Sequence, residues 1–215
     1  MLLGIDVGYD STKDHRGNKF KSAISRTDKS ITGGKKLSID GKNYYPGIGT
    51  MTSEVDKTNT EINMVSLIYA FILNGAKDIY SVVGLPIGQY DEQRQRLFDS
   101  IMSYNKCKVE YDNKPYNFKI HDAIIARQGI SSLYTLKDLY GEYIVIDIGG
   151  LTVDPSLSEF TKDGAQLTQY DTWYKGIRTL YSSIIEAVNN KFGLKLGVNY
   201  AEKILLNGLD ISEKP

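Results

Sequence analysis

With 215 residues, 41% hydrophobic and 24% charged, the chain can bury a core and reads as one large domain or two small lobes, which excludes a disordered or fibrous protein. Lys plus Arg equals Asp plus Glu at 26 each, so no global field holds a polyanion, and DNA is expected only through a partner, with no direct contact. A single cysteine, Cys107, and two isolated histidines, His15 and His121, exclude an internal disulfide and a zinc spacing and fit a reducing cytoplasm.

In chain order, Leu2 to Val7 is a short apolar run ended by glycine, and Gly17-Asn18 turns between two extended pieces, so the chain opens as a β-meander. A Gly-Gly-Lys-Lys stretch leads to a hairpin at Asp40-Gly41, flanked by Leu37, Ile39, Tyr44 and Tyr45, which reads as a small insert at about 31–57. Thr58 and Glu61 have capping-box spacing and predict a helix over about Asn59 to Asn74, stopped by Gly75. Its apolar run, Ile62 to Leu73, is broken by Asn63 and Ser66 and is shorter than the ~20 residues that span a bilayer. No export signal opens the chain either, so no membrane contact is expected.

"SVVGLP" predicts a buried strand, and the stretch from Asp91 predicts a helix with an acidic first turn. "KVEYDNKPYNFKI" reads as a second hairpin, followed by a helix from Asp122 to about Leu139. Tyr143 to Ile146 reads as a buried strand, and "SLSEFTKDGAQLTQYDTWY" as further strands turning at Asp163-Gly164. Ile177, Leu180, Tyr181, Ile184, Ile185, Val188 and Phe192 fall on one helical face, read as core, which ends at Gly193. Asn199 and Glu202 have cap spacing for a last helix. The same order of events thus occurs twice, and the expected division is a first lobe at 1–142 and a second, apparently incomplete, at 143–215.

Each lobe opens on the same device. "GIDVGYDSTK" and "VIDIGGLTVD" both end an apolar strand in Asp-x-Gly and follow it with a hydroxyl residue. A glycine-containing hairpin tip can turn backbone N–H groups inward as a nest for phosphate oxygens. A carboxylate at the strand end meets phosphate favourably only through a cation, so Asp6 and Asp147 suit the outer shell of a hydrated Mg2+. Lys13, on the returning strand, can add a point charge, and Ser11 and Thr152 can donate from hydroxyls. Alone, either copy reads as an ordinary strand ending in a turn; the repetition favours a two-jawed phosphate clamp. No Walker-type loop and no Gly-x-Gly-x-x-Gly fingerprint occurs.

These residues resemble the actin-like ATPases, and within them the bacterial ParM group of plasmid-segregating filament proteins. "GIDVGYDSTK" and "VIDIGGLTVD" are similar to the first and second phosphate motifs of that family, and "VVGLPIGQY" to the segment after its first small subdomain. "IIARQGISSLY" is similar to the helix that carries the water-positioning glutamine of actin, a place that falls on Gln128. The resemblance implies an α/β, ribonuclease H-like fold of two lobes with mixed sheets flanked by helices, and ATP or GTP with Mg2+ between them. Gly8, Tyr9, Asp10, Ser11, Thr12 and Lys13, with Gly149, Gly150, Leu151 and Thr152, would hold the nucleotide. Gln128 and Asp147 would be catalytic, and Asp6, Asp147 (through water) and Asp154 would face the metal. The implied activity is ATP hydrolysis driving filament assembly and disassembly for plasmid segregation, with self and a ParR-type DNA-binding adaptor as partners.

Gln128 also reads as an exposed helix residue, and Asp154 as a strand-end acceptor. After Asp154 nothing has the apolar-Gly-Gly form that holds the base in this family, and Pro155 removes a ladder donor where the returning strand should pair. The missing base segment motivates a non-catalytic interaction module of the same fold, and a small-molecule kinase of that fold is a further alternative. Tyr44, Tyr45, Tyr111 and Tyr116 lie beside hairpin turns, where they serve either packing or subunit contact.

Overall fold

The computed structural model describes residues 1–210 apart from residues 28, 30, 59, 138, 139 and 163. The expected helix start at Asn59, the helix end at Leu139 and the turn residue Asp163 therefore lie outside the described residues.

Three sheets organise the chain. The first has the order β11-β8-β1-β2-β3. Strands β1 (Leu2–Val7), β2 (Ser11–Asp14) and β3 (Lys19–Lys21) form the antiparallel meander, while β8 (Asp78–Leu85) and β11 (Lys119–Arg127) add in parallel on the other edge of β1. The crossovers are made by α1 (Glu61–Leu73) and α2 (Tyr90–Ser103). Both pack on one face, where Leu3, Ile5, Ile79, Val83 and Leu85 meet Val65, Ile68, Phe71, Leu97 and Ile101 in a single core. The opposite face keeps Leu2, Tyr80 and Ile124 at least half exposed.

The second sheet, order β10-β9-β5-β6-β4-β7, draws on separated stretches: β4 (Ala23–Arg26), β5 (Leu37–Ile39), β6 (Lys42–Pro46) and β7 (Thr50–Met51), then β9 (Val109–Tyr111) and β10 (Lys114–Pro115). Two-residue turns with positive φ at both positions, Asp40-Gly41 and Asp112-Asn113, close its hairpins, the geometry that matches strand twist. The third sheet, β12-β13-β14, is an antiparallel meander of Gly141–Ile148, Val153–Thr161 and Gly164–Tyr170. Helices α3 (Ile177–Phe192) and α4 (Ala201–Asn207) follow it. Among the described residues no helix is long and apolar enough to cross a membrane.

Six expectations need correction. The helix predicted from Asp122 is strand β11, paired with β8 from Lys119 to Arg127, followed by a 3-10 turn at Ile130–Thr135. Apolar residues at 120, 123 and 124 mimic helical spacing because a bulge between Ile120 and Asp122 shifts the strand's alternation by one. The cap of α1 is Thr60, whose side chain accepts the Asn63 N–H at 3.2 Å, whereas Thr58 donates to Asp56. Before α4 stands Tyr200, with no capping side chain, after a 3-10 turn at Val198–Tyr200, so the Asn199-Glu202 spacing is not its cap.

The apolar face of α3 is not core: Ile185 alone is buried, and Leu180 and Phe192 are nearly half exposed, because α3 packs chiefly on α4. Nor is the strand from Tyr143 buried. As β12 it forms a sheet edge with Ile144, Ile146 and Ile148 at 74%, 60% and 64% exposure on one face. Pro155 costs no ladder bond with β12, since its carbonyl accepts from Asp171 and its ring nitrogen faces the same side.

Candidate functional site

The two Asp-x-Gly turns are congruent. In the first, the Gly8 N–H donates to the Ser11 carbonyl at 3.1 Å; in the second, the Gly149 N–H donates to the Thr152 carbonyl at 2.8 Å. Two residues before each glycine stands an aspartate, and across the ladder Asp6 pairs with Lys13 while Asp147 pairs with Asp154. The turns face each other: a Cβ on Gly150 would lie 3.0 Å from the Asp10 Cβ and 3.1 Å from its backbone nitrogen. Only a residue without a side chain permits that approach. Among the described residues no protein acceptor meets the N–H groups of Tyr9, Asp10, Gly150 and Leu151.

Between the turns lies a cleft of about 260 Å³ lined by Asp6, Gly8, Tyr9, Asp10, Ser11, Lys13, Gln128, Asp147, Gly149, Gly150, Thr152 and Asp154. A wider hollow of about 510 Å³ shares Asp6, Lys13, Gln128 and Asp147 with it and extends over Gly84 and Ala126. Two expected residues stand apart. Thr12 is fully buried with its hydroxyl 2.9 Å from that of Ser22, and Leu151 does not line the cleft. Thr152 spends its proton on Asp154 at 2.7 Å, so its hydroxyl can accept in the cleft but not donate, contrary to expectation. The other Asp154 oxygen accepts from Thr172 at 2.6 Å, which ties the second turn to the stretch before α3.

Gln128 sits at the end of a strand, not on a helix. Its N–H continues the ladder to the Leu85 carbonyl, and its side chain crosses over Gly84, where a Cβ would lie 2.7 Å from its Cγ. Its Nε2 donates to Asp6 Oδ1 and its Oε1 accepts from Lys57 Nζ at 3.2 Å. Burial, then the Asp6 and Asp154 charges, raise the Asp147 carboxyl above the usual carboxylate range. Among the described residues no three acidic, histidine or cysteine side chains converge to ligate an ion directly. The crowding of three carboxylates around one buried lysine nevertheless fits a cation held at one water's remove.

Three residues of the site were missed by sequence reasoning. Lys57 is 3% exposed, and burial lowers its pKa to about 8 against the pull of Asp6, Asp147 and Asp154. Arg178, in the first turn of α3, donates to the carbonyls of Tyr9 and Thr52 and so bridges α3 to the first turn. Lys19 lies opposite Lys13 on β3 and lines the cleft. Lys57 and Lys19 sit in polar stretches and carry no local signal; Arg178 could have been found from its place just after Gly176 at a helix start.

A parallel pair added to a β-meander, a repeated meander and two opposed turns define an actin-like protein. The chain matches the family described as actin-like proteins, N-terminal domain, over residues 4–130, and it belongs to that family. Among solved structures it is similar to the archaeal actin homolog Ta0583, at 20% identity and a TM-score of 0.81 over 95% of this chain and 71% of that one. It is also similar to ParM in a 15-stranded filament from Clostridium botulinum, at 19% identity and a TM-score of 0.71 over 99% and 75%. The filament protein AlfA from the B. subtilis plasmid pLS32 follows at 17% identity and a TM-score of 0.65 over 88% and 79%. At these identities the likeness is one of fold. A comparison with curated protein sequences returned no match.

Proposed function

We propose that the chain is a nucleotide-dependent filament protein in which the lobes 1–142 and 143–215 clamp ATP or GTP between the two turns. The observation that carries this reading is the face-to-face placement of the congruent turns, Gly150 against Asp10, with the N–H groups of the cleft-lining Tyr9, Asp10 and Gly150 meeting no acceptor among the described residues. Tyr9, Asp10 and Gly150 would bind phosphate oxygens from the backbone, with Lys13 adding charge and Ser11 a hydroxyl. Mg2+, held through water by Asp6 and Asp147, would supply charge neutralisation at the phosphates. Asp154 holds the second turn in place through Thr152 and Thr172. Gln128 orients the attacking water, since phosphoryl transfer asks mainly for positioning and electrostatics.

Ta0583 has been solved in complex with ADP and AlfA as a filament bound to AMPPNP, which supports a nucleotide and self-assembly here too. We further propose a cytoplasmic plasmid-segregating role through a DNA-binding adaptor of the ParR type. Light scattering and pelleting with Mg2+ and ATP or GTP test assembly, and a fluorescent nucleotide analogue tests binding. Binding should weaken roughly 10-fold in Lys13→Ala, the scale of one charged hydrogen bond, and assembly should be lost in Asp147→Ala. An unaltered chain that binds neither nucleotide sinks the reading. Unimpaired assembly of Asp147→Ala would favour a non-catalytic co-assembly module, a reading motivated by the exposed apolar face of β12.

A further inference from the structure

Lys57 enters the cleft from the segment between β7 and α1. Its Nζ donates to the Val7 carbonyl at 2.6 Å and to Gln128 Oε1 at 3.2 Å, and lies 4.7 Å from the centre of the Tyr9 ring. An ammonium only donates and an ionised carboxylate only accepts. Gln128 stands between one of each, so its Oε1 must face Lys57 and its Nε2 must face Asp6; the flipped amide would satisfy neither. One lone pair of Oε1 then remains free. We propose that Lys57 is a positioning residue for nucleotide hydrolysis, fixing the Gln128 amide so that its carbonyl oxygen accepts a hydrogen bond from the attacking water. This inference rests on the nucleotide reading above.

The segment that carries the lysine is held from both sides of the cleft. The Lys57 N–H donates to Gln93 Oε1 at 3.3 Å and its carbonyl accepts from Asn63 Nδ2, which ties it to α2 and α1. Just before it, the Val55 carbonyl accepts from the Tyr9 hydroxyl, and the Thr52 carbonyl accepts from Arg178 at 2.8 Å. A segment pinned to the first turn and to α3 thus ends in the side chain that orients Gln128. Hydrolysis is thereby made sensitive to the distance between the two jaws.

The test compares nucleotide affinity with single-turnover hydrolysis in the full chain for Lys57→Met, Lys57→Gln, Gln128→Ala and the Lys57→Met/Gln128→Ala pair. Misplacing the water-orienting group should slow hydrolysis about 100-fold and leave affinity nearly unchanged. The paired variant should be no slower than Gln128→Ala alone, a non-additivity that general loss of stability would not produce. Lys57→Gln keeps a donor for the Val7 carbonyl and guards against a Met variant that fails to fold. Wild-type turnover in Lys57→Met, losses that multiply in the paired variant, or unfolding of both Lys57 variants would each overturn the proposal. A chain that binds no nucleotide before substitution overturns the nucleotide reading and this inference with it.

Discussion

Asp147 stands where its own charge is disfavoured, by burial and by Asp6 and Asp154 nearby. Removing that charge relieves the folded state and removes a proposed outer-shell partner of Mg2+, so stability and function should part. Asp147→Asn is expected to raise the melting temperature of the nucleotide-free chain and to weaken binding of the Mg2+–nucleotide complex; a lowered melting temperature would contradict the electrostatic account. Cys107 illustrates the reverse, a group silenced by its surroundings. Burial, with Asp40 adding to it, pushes the thiol up to about 11. At pH 8 its thiolate fraction should be about 100-fold below that of an ordinary cysteine, and modification by a thiol reagent should slow in proportion. Rapid labelling at pH 8 would exclude this environment.

At the scale of the element, α1 depends on Thr60 to satisfy an N–H that the helix cannot. Thr60→Ala should cost ~1 kcal/mol of unfolding free energy, read by chemical denaturation, while Thr58→Ala leaves the α1 cap intact. The misread β11 has its cause outside its own segment. Hairpin turns such as Asp40-Gly41 are legible because two residues decide them, and the Asp-x-Gly turns likewise announce themselves locally. β11 becomes a strand only because β8 lies beside it in parallel, forty residues earlier in the chain, and no window around Asp122 contains that partner. For the same reason Asp6, Gly8, Lys13, Asp147 and Gly149 could be read from the sequence, whereas Lys57 could not. Its burial is made by Val7, Tyr9 and Gln128, which only the fold assembles.

Across the whole molecule, the first and third sheets each leave an apolar face open, with Leu2, Tyr80 and Ile124 on the first and Ile144, Ile146 and Ile148 on the third. β12 is also an edge, with one row of backbone groups unpaired within its sheet. Such a surface drives association in water. Ile146→Lys should shift sedimentation toward the monomer with stability changed by no more than about 0.5 kcal/mol; unchanged association would assign the contact elsewhere. A further consequence follows from how α3 is anchored. Its first N–H groups donate to the carbonyls of Gly149 and Gly150, so the second turn and the helix move as one piece, and Arg178 joins that piece to Tyr9 and Thr52. A helix of 16 residues is about 24 Å long. It is therefore a lever whose short arm is the turn proposed to hold phosphate: a tilt of about 10° at that turn sweeps its far end, Phe192 and Gly193, through about 4 Å. Loss or gain of one phosphate at the fulcrum would thus be read out as a displacement on the molecular surface, where a neighbouring subunit could feel it.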